Sequence, residues 1–518
     1  MVTLPRDASR WLSWRADKKR LLMILLGSIV GIEFLENGMF VFGASHIIGG
    51  VDAGPREFAQ VQAAYAIGSM VMIVMQQSLS RHFGYRRYLA GALALFMAGT
   101  AGSALAQGLG DLTAARLVQG LGGGALFTSS RVLIPLLFPA AERGAAVKHY
   151  MLILFSMSAL APVLAGFLVE DLGWRWVFIA VLPLAGLVLA GTWLLLPDAA
   201  GRGGEPVKWA AGPLVLVALA LTLVQLALSE ARYDVFAHPW HLALLAFAGV
   251  ALLGSFLFHQ WHHEAPMMRL RELSHPAFLV GIAFYFMHYV MSNATSYLFP
   301  IFAEQALGLP LYVAGWLNAF SAGVSLLGAW LYVKYGGKIT RKTLLMALGA
   351  LCLTAAAWLL ASLPSGAPAS ALVLPLVAKG CFGVMLVLPV AGLTFRSLGD
   401  ERFPHAYQSK NLMRQIAGSF ATAVTAVAMQ DRQFVNLTRL QGELGPANPA
   451  VHPWMDTMQA ALAARGVLPE AAHGAALAEL QRILQQQALL VSCEDIYRLI
   501  AVAAAVTAVL VLAQRQLK

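Results

Sequence analysis

Charge is what this sequence has least of. Asp, Glu, Lys and Arg make up 12% of the 518 residues, against 59% hydrophobic, and the mean hydropathy is +0.68. A soluble domain is nearer a quarter charged, so a water-soluble fold is excluded. Cysteine is scarce too: Cys352, Cys381 and Cys493 stand far apart, form no metal or redox spacing, and read as small apolar packing residues. HExxH, GxSxG and phosphate-binding loops are missing, as is any soluble catalytic domain, which argues against an enzyme and against ATP as the energy source. No cofactor is expected. With so few polar side chains, long stretches of backbone must satisfy their own hydrogen bonds in lipid, which only helices and closed barrels do. The apolar runs are about twenty residues long and do not alternate with period two. The fold class is therefore all-α integral membrane.

Apolar runs bounded by charged or Pro/Gly-rich turns predict fourteen spans, near 21–43, 58–78, 88–107, 112–135, 149–169, 176–196, 209–229, 240–260, 276–302, 310–333, 343–362, 370–393, 411–429 and 496–514. They divide the chain into an N-terminal segment 1–20, a six-helix bundle over 21–197, a linker 198–275 with two extra spans, and a second six-helix bundle over 276–518. The linker begins Gly201-Arg202-Gly203-Gly204. Leu21 to Phe42 is too long for a signal peptide and is expected to remain as the first span. Of the 36 Lys and Arg, 24 fall in one set of loops and tails, including Arg6, Arg10, Arg15, Lys18, Lys19, Arg20, Arg515 and Lys518, while 7 fall in the opposite loops and 5 inside spans. That asymmetry puts both termini in the cytoplasm and favours a membrane protein over a nucleic-acid binder, despite a formal net charge of +10. Residues 430–495 form an outsized periplasmic loop. Amphipathic spacing in Trp454 to Ala464 and Ala475 to Leu490 predicts helices there, as a cap, a partner surface or a lid on its own bundle.

The fourth span carries Arg116-Leu117-Val118-Gln119-Gly120-Leu121-Gly122-Gly123-Gly124. The glycine face allows close helix packing; Gln119 is left unexplained by packing alone. The fifth span ends Ala161-Pro162-Val163-Leu164-Ala165-Gly166, and Gly173-Trp174-Arg175-Trp176-Val177-Phe178 opens the sixth. These segments, with Phe299-Pro300-Ile301-Phe302-Ala303-Glu304-Gln305 and Asn411-Leu412-Met413-Arg414-Gln415-Ile416, resemble the RxxQGxGGG, GPxxGG and WRWxF signatures of the major facilitator superfamily, in its fourteen-spanner drug:proton antiporter branch (EmrB/QacA type). The resemblance covers nearly the whole chain. It implies a major facilitator fold of two six-helix bundles plus two linker helices, in a bacterial inner membrane. It also implies proton-coupled export of amphipathic or aromatic small molecules, multidrug efflux, by alternating access, with the proton gradient as the energy source and a periplasmic adaptor and an outer-membrane channel as partners. One segment departs: Arg81 stands in Leu79-Ser80-Arg81-His82-Phe83-Gly84 where the family pattern has an aspartate that helps latch the bundles. Gln119-Gly120 and Gly123 have counterparts in Lys379-Gly380 and Gly383, the mark of two related halves with sites between them near the midplane.

Charged groups at bilayer depth are costly and are functional candidates by default. Glu33 and Glu36 are the acids the sequence places inside a span, three residues apart and on one helix face with Asn37 and Phe40. Glu36 falls where the resembled branch carries an acid in its first helix and is the expected proton carrier. Glu33 is a second carrier or the neighbour that tunes it, and an ion pair locking the bundle is the structural alternative for both. Arg116 is the basic partner ranked first for proton coupling. Arg131 and Arg414, placed nearer the cytoplasmic ends, join Arg81, Pro162 and Gly166 as gating candidates, and Arg498 lies toward the periplasm. Substrate-binding candidates are Asn37, Phe40, Gln119, Lys379 and the ninth-span residues Phe284, Tyr285, His288 and Ser292, aromatic and polar groups that suit an amphipathic cargo. Lipid-facing or packing roles are the alternative for the aromatics, and a hydrogen-bonded core histidine for His288. Rival functions are a dedicated exporter or importer of one metabolite, such as an organic acid or siderophore, and a non-transporting membrane receptor.

Overall fold

A computed structural model describes residues 16–198, 211–263, 266–396, 398–399, 401–444, 451–466 and 468–517. Most of the predicted N-terminal segment, with Arg6, Arg10 and Arg15, lies outside the described residues, as do the Gly201–Gly204 linker and Lys518. Fourteen helices are long and apolar enough to cross a membrane, and no strand occurs among the described residues. In chain order they are α1 (Ala16–Phe42), α2 (Pro55–Phe83), α3 (Tyr85–Leu105), α4 (Leu109–Leu137), α5 (Ala140–Asp171), α6 (Trp176–Leu195), α7 (Ala211–Ala237), α8 (Pro239–His262), α9 (Pro276–Ala306), α10 (Leu311–Lys338), α11 (Lys342–Leu360), α12 (Ala369–Thr394), α13 (Phe403–Glu443) and α14 (Pro469–Ala513).

Local chemistry sets the breaks. Gly84 turns the chain from α2 to α3 at φ 78, a left-handed conformation open to glycine. Pro55, Pro239 and Pro276 each open a helix, where the missing N–H costs nothing. In α12 Pro389 has no N–H for the carbonyl four residues back, and the helix is interrupted at Leu386. Pro300 likewise lacks a donor, and α9 widens to a π-helical turn over Ile301–Ala306.

Small residues then let the helices approach. The motif glycines of α4 sit with backbone on both sides: a Cβ on Gly120 or Gly124 would meet the carbonyl oxygens of Tyr65 and Ser69 in α2, and one on Gly122 would meet Phe96 and Ala92 in α3. Gly27, Gly31 and Gly38 of α1 lie against Ile153, Met157 and Ala161 of α5. In the second bundle Gly380 of α12 lies against Ser321 of α10, whose Oγ donates to the Leu376 carbonyl at 2.9 Å, and Ser325 does the same to Gly380 at 2.8 Å. The bundles meet in two places. Gly315 of α10 packs on the Pro162 carbonyl of α5 while Gly166 faces Tyr312, and α13 runs along α2 and α4. The extra helices α7 and α8 pack on each other at Gly249 and Val224. They are held to α2 by an apolar cluster that includes Ile73, Val217, Leu221 and Phe256, and by Arg56 bridging Glu230 at 2.6 Å and Asp234 at 2.8 Å.

The segment 430–495 has helices where amphipathic spacing predicted them, Trp454 to Ala464 and Ala475 to Leu490, but both flanking spans also run on into it. α13 continues to Glu443 and α14 already begins at Pro469, with a helix Val451–Ala464 between them. Hydropathy marks where a helix leaves the apolar layer, not where it ends; the polar turns still form their own backbone bonds. They also pair: Asn436 donates to Ser492 at 3.1 Å and to Asp495 at 3.3 Å, joining α13 to α14. The fourteen residues of α13 beyond Met429 extend about 20 Å at 1.5 Å per residue. α5, too, starts at Ala140, earlier than the sequence suggested.

The glycine packing is directly testable. Gly124→Val, pushed into the Ser69 backbone, is expected to lower folded-state stability by roughly 1–3 kcal/mol. Gly110→Val in the same helix, with nothing within 4 Å of its Cβ position, should be near neutral. Thermal denaturation of the two variants in detergent reads the difference.

Candidate functional site

Inside the first bundle, α1 presents Glu33, Glu36 and Asn37 toward α2 and α4. Arg116 of α4 is 1% exposed and Glu36 0% exposed. Its Nη1 donates to Glu36 Oε1 at 2.7 Å and to Gln119 Oε1 at 2.6 Å, and its Nη2 to Asn37 Oδ1 at 3.1 Å. Gln119 passes the chain on by donating to Thr100 Oγ1 at 2.8 Å. The guanidinium is sandwiched between the rings of Phe40 at 3.9 Å and Tyr65 at 4.3 Å. Glu33 Oε1 accepts from Asn37 at 3.0 Å and from the Tyr65 hydroxyl at 3.2 Å. Gln119, unexplained by packing, is thus the acceptor that orients the arginine. A buried charge is tolerable when it is paired and hydrogen-bonded; here both guanidinium Nη atoms and one oxygen of Glu36 are engaged, while Glu36 Oε2 and Arg116 Nε have no hydrogen-bond partner among the described residues.

This network reaches the second bundle through one contact. Arg414 of α13 lies 3.7 Å from Glu33 Oε1, with its guanidinium 3.5 Å over the Phe127 ring. The sequence put Arg414 toward a helix end; the structure sets it at the depth of Glu33, because α13 starts eight residues earlier than the apolar run, at Phe403. That start also carries Lys410, assigned to a loop by hydropathy, into the protein interior. One stretch of α13 therefore offers two faces. Gln408, Asn411 and Gln415, at helical spacing, bind the first bundle: Gln408 donates to the carbonyls of Ile73 at 2.9 Å and Val74 at 2.7 Å, Asn411 to Thr128 at 3.1 Å, and Gln415 to Ser69 at 2.7 Å. Lys410 and Arg414 line the space between the bundles.

That space is a cavity of about 940 Å³. Its walls come from α4, α5, α9, α10, α12 and α13, with Phe34 of α1 and Lys342 and Leu353 of α11. It reaches the last turn of α10 at Gly336 and Gly337 and the start of α5 at Arg143, the end of the molecule where α1 begins and α14 ends. At the other end the Pro162–Gly315 and Gly166–Tyr312 contacts close α5 on α10. Aromatic side chains and Arg131, Arg143, Lys342, Lys379, Arg396, Lys410 and Arg414 line it; no Asp or Glu is found among its described lining residues.

The expected residues divide between two places. Tyr285, His288, Ser292, Lys379, Arg131 and Arg414 line the cavity. Phe284 is buried in the core behind it. Asn37, Phe40 and Gln119 serve the arginine network instead, with Phe40 stacked on Phe58 at 5.3 Å. Glu33 and Glu36 are sealed in the bundle, Glu33 being joined to the cavity through Arg414. Pro162 and Gly166 lie at the closed end. Arg81 is exposed, with no carboxylate paired to it among the described residues, so the inter-bundle hydrogen bonds seen near that end come from Gln408. Tyr65, Thr100, Lys410, Gln408 and Gln415 escaped the sequence reading. So did Glu230 and Asp234, buried acids in the last turns of α7, past the predicted end of that span.

Two helical bundles around a cavity open at one end, with ion pairs buried beside it, are the architecture of a membrane transporter. The profile of the Major Facilitator Superfamily matches residues 26–422, and the chain belongs to that family. Curated relatives include the probable multidrug resistance protein EmrY of Escherichia coli, 23% identical over 94% of each chain. Another is the putative multidrug resistance protein MdtD of Salmonella newport, 26% identical over 61% of this chain and 64% of that protein. Both agree with the fourteen-spanner branch. Among solved structures, the Escherichia coli xylose transporter XylE in a partially occluded inward-open conformation matches with a TM-score of 0.54 at 17% identity, over 78% of this chain and 90% of that one. A bacterial homologue of the human peptide transporters PepT1 and PepT2 matches with a TM-score of 0.60 at 13% identity, over 96% and 98%. These structures establish the fold.

The arginine network yields a stability test. Arg116→Gln leaves the Glu36 carboxylate buried without its cation and is expected to cost about 3–5 kcal/mol. The double variant Arg116→Gln/Glu36→Gln removes both charges and should recover a large part of the loss. Thermal unfolding of wild type, both single variants and the double variant in one detergent completes the cycle.

Proposed function

We propose that this transporter is a proton-coupled exporter of amphipathic or aromatic small molecules, with the Glu33/Glu36 pair carrying the coupling proton. The observation that carries the reading is the Glu33–Arg414 contact at 3.7 Å, the ion pair that joins the buried carboxylates of α1 to a helix of the opposite bundle. An ionised Glu33 attracts Arg414 and favours the arrangement described above. A protonated Glu33 loses that attraction and frees the bundles to rock about the closed α5–α10 end. Glu36, held on Arg116 at 2.7 Å, is the deeper carboxyl of the same relay, reached through Asn37, which touches both Glu33 and Arg116.

The loop charges supply the direction. The positive-inside rule makes the end bearing the termini cytoplasmic, so the cavity is inward-facing, ready to load cargo from the cytoplasm. A proton entering from the periplasm then protonates the carboxyls in the outward-facing state, and its release inward restores the ion pairs. One proton crossing 100 mV supplies about 2.3 kcal/mol, worth roughly fiftyfold accumulation. The names of the relatives support drug efflux as the use of this cycle. In the same reading the protein sits in a bacterial inner membrane, and the α13–α14 extension lies on the periplasmic side, where an adaptor leading to an outer-membrane channel would dock.

Glu33→Gln and Glu36→Gln test the coupling. In proteoliposomes with an imposed proton gradient each is expected to lower gradient-driven transport at least tenfold while preserving cargo counterflow, which needs no net proton movement. Gradient-driven transport at the wild-type rate in both variants would refute the assignment.

A further inference from the structure

The cavity lining carries more positive charge than the proton relay uses. Arg414 faces Glu33, but Lys410, Lys379 and Arg131 have no carboxylate partner among the described residues. Lys410 is the most enclosed of them at 5% exposure. Its Nζ donates to Asn411 Oδ1 at 3.0 Å and otherwise meets rings: Tyr407 at 4.8 Å, Phe127 at 5.2 Å, Tyr285 at 5.3 Å and Tyr289 at 5.4 Å. Arg131 and Arg414 line the same cavity. Lys379, across the cavity on α12, donates to Asn318 at 3.1 Å.

A cluster of like charges in a low-dielectric interior is unfavourable unless a counter-ion offsets it. Glu33 neutralises one charge of the cluster and is already engaged. Cation–π contacts help hold an ammonium in place, yet they remove none of the repulsion between Lys410, Arg131 and Arg414. The aromatic cage that would otherwise receive a cationic drug is filled by the lysine itself. What the site offers a ligand is a seat for negative charge beside flat apolar walls built from Tyr285, Tyr289, Tyr407 and Phe127.

We propose that the cargo is an aromatic carboxylate, its carboxylate seated on Lys410 and its ring between the tyrosines of α9 and α13. This rests on the export reading and narrows its substrate class: organic anions rather than cationic drugs. Lys410 is the specificity-determining residue, and its aromatic surround selects a planar body over a small hydrophilic acid.

Three probes with one ring system separate charge from shape: 1-naphthoate, its neutral amide 1-naphthamide, and the cation 1-naphthylmethylammonium. Binding to the full-length protein in nanodiscs, measured by calorimetry, is expected for the naphthoate, at least tenfold weaker for the amide, and weakest for the cation. Lys410→Gln should reduce naphthoate affinity at least tenfold and erase the preference over the amide, whereas Lys410→Arg retains it. Equal or tighter binding of the amide or the cation by wild type would overturn the proposal, and so would unchanged naphthoate preference in a folded Lys410→Gln protein. The wild-type comparison decides the matter even where a variant fails to fold. Gradient-driven transport of a cationic dye without naphthoate binding would sink the anion seat and leave proton-coupled export standing. Naphthoate binding with transport indifferent to a proton gradient would do the reverse.

Discussion

Two carboxylates of α1 are held in the interior beside two arginines, one from each bundle, and the packing around them is arranged for their mutual neutralisation. Glu36 is satisfied within its own bundle by Arg116, which Gln119, Asn37, Phe40 and Tyr65 fix in place. Glu33 is satisfied from the other bundle by Arg414. The first pair belongs to the rigid part of the structure. The second spans the interface that an alternating-access cycle has to rearrange. A buried ion pair contributes little net stability, but losing one partner is costly, so loss of the Glu33 charge would weaken this interface more than neutralising an exposed pair would.

The glycines matter here for a mechanical reason. Gly120 and Gly124 bring α4 into backbone contact with α2, and Gly122 brings it against α3; this places Tyr65 and Thr100 where they complete the arginine network. Close packing and polar satisfaction are the same fact seen from two sides. The Gln408–Ile73/Val74 hydrogen bonds, by contrast, are made to main-chain carbonyls already engaged in a helix. Such bonds hold the bundles in register while allowing exchange for water or another carbonyl, a softer link than an ion pair.

How much of this the sequence disclosed follows from contrast. Glu33, Glu36 and Arg116 are legible because a charge inside an apolar run stands out, and Gln119 because no packing role accounts for it. Lys410 and Gln408 are hidden because their neighbours are polar as well: hydropathy ends the span at Asn411 although the helix runs on to Phe403. Glu230 and Asp234 are hidden by the same effect at the end of α7, and so is the continuation of α13 to Glu443. Arg414 was visible as an intramembrane charge, but its depth depends on where α13 begins. Tyr65, and the choice of Arg414 as the partner of Glu33, are set by which helices touch across the bundle interface, and no spacing along the chain encodes that.

The sign of the cargo bears on the energetics of the cycle. Exporting a cation in exchange for one proton moves no net charge, and only the pH difference drives it. Exporting a monoanion in exchange for one proton carries positive charge inward on both legs, so the membrane potential acts twice, about 4.6 kcal/mol per 100 mV at 2.3 kcal/mol per charge. A cavity walled with lysine and arginine is suited to that exchange: it stabilises the anion at the midplane, where the desolvation cost is greatest, and keeps the carboxylates behind Arg414 and Arg116, out of its reach. The proposed anion seat on Lys410 and the Arg414 contact to Glu33 lie one helical turn apart on the cavity face of α13, so both ligands would act on the position of that one helix.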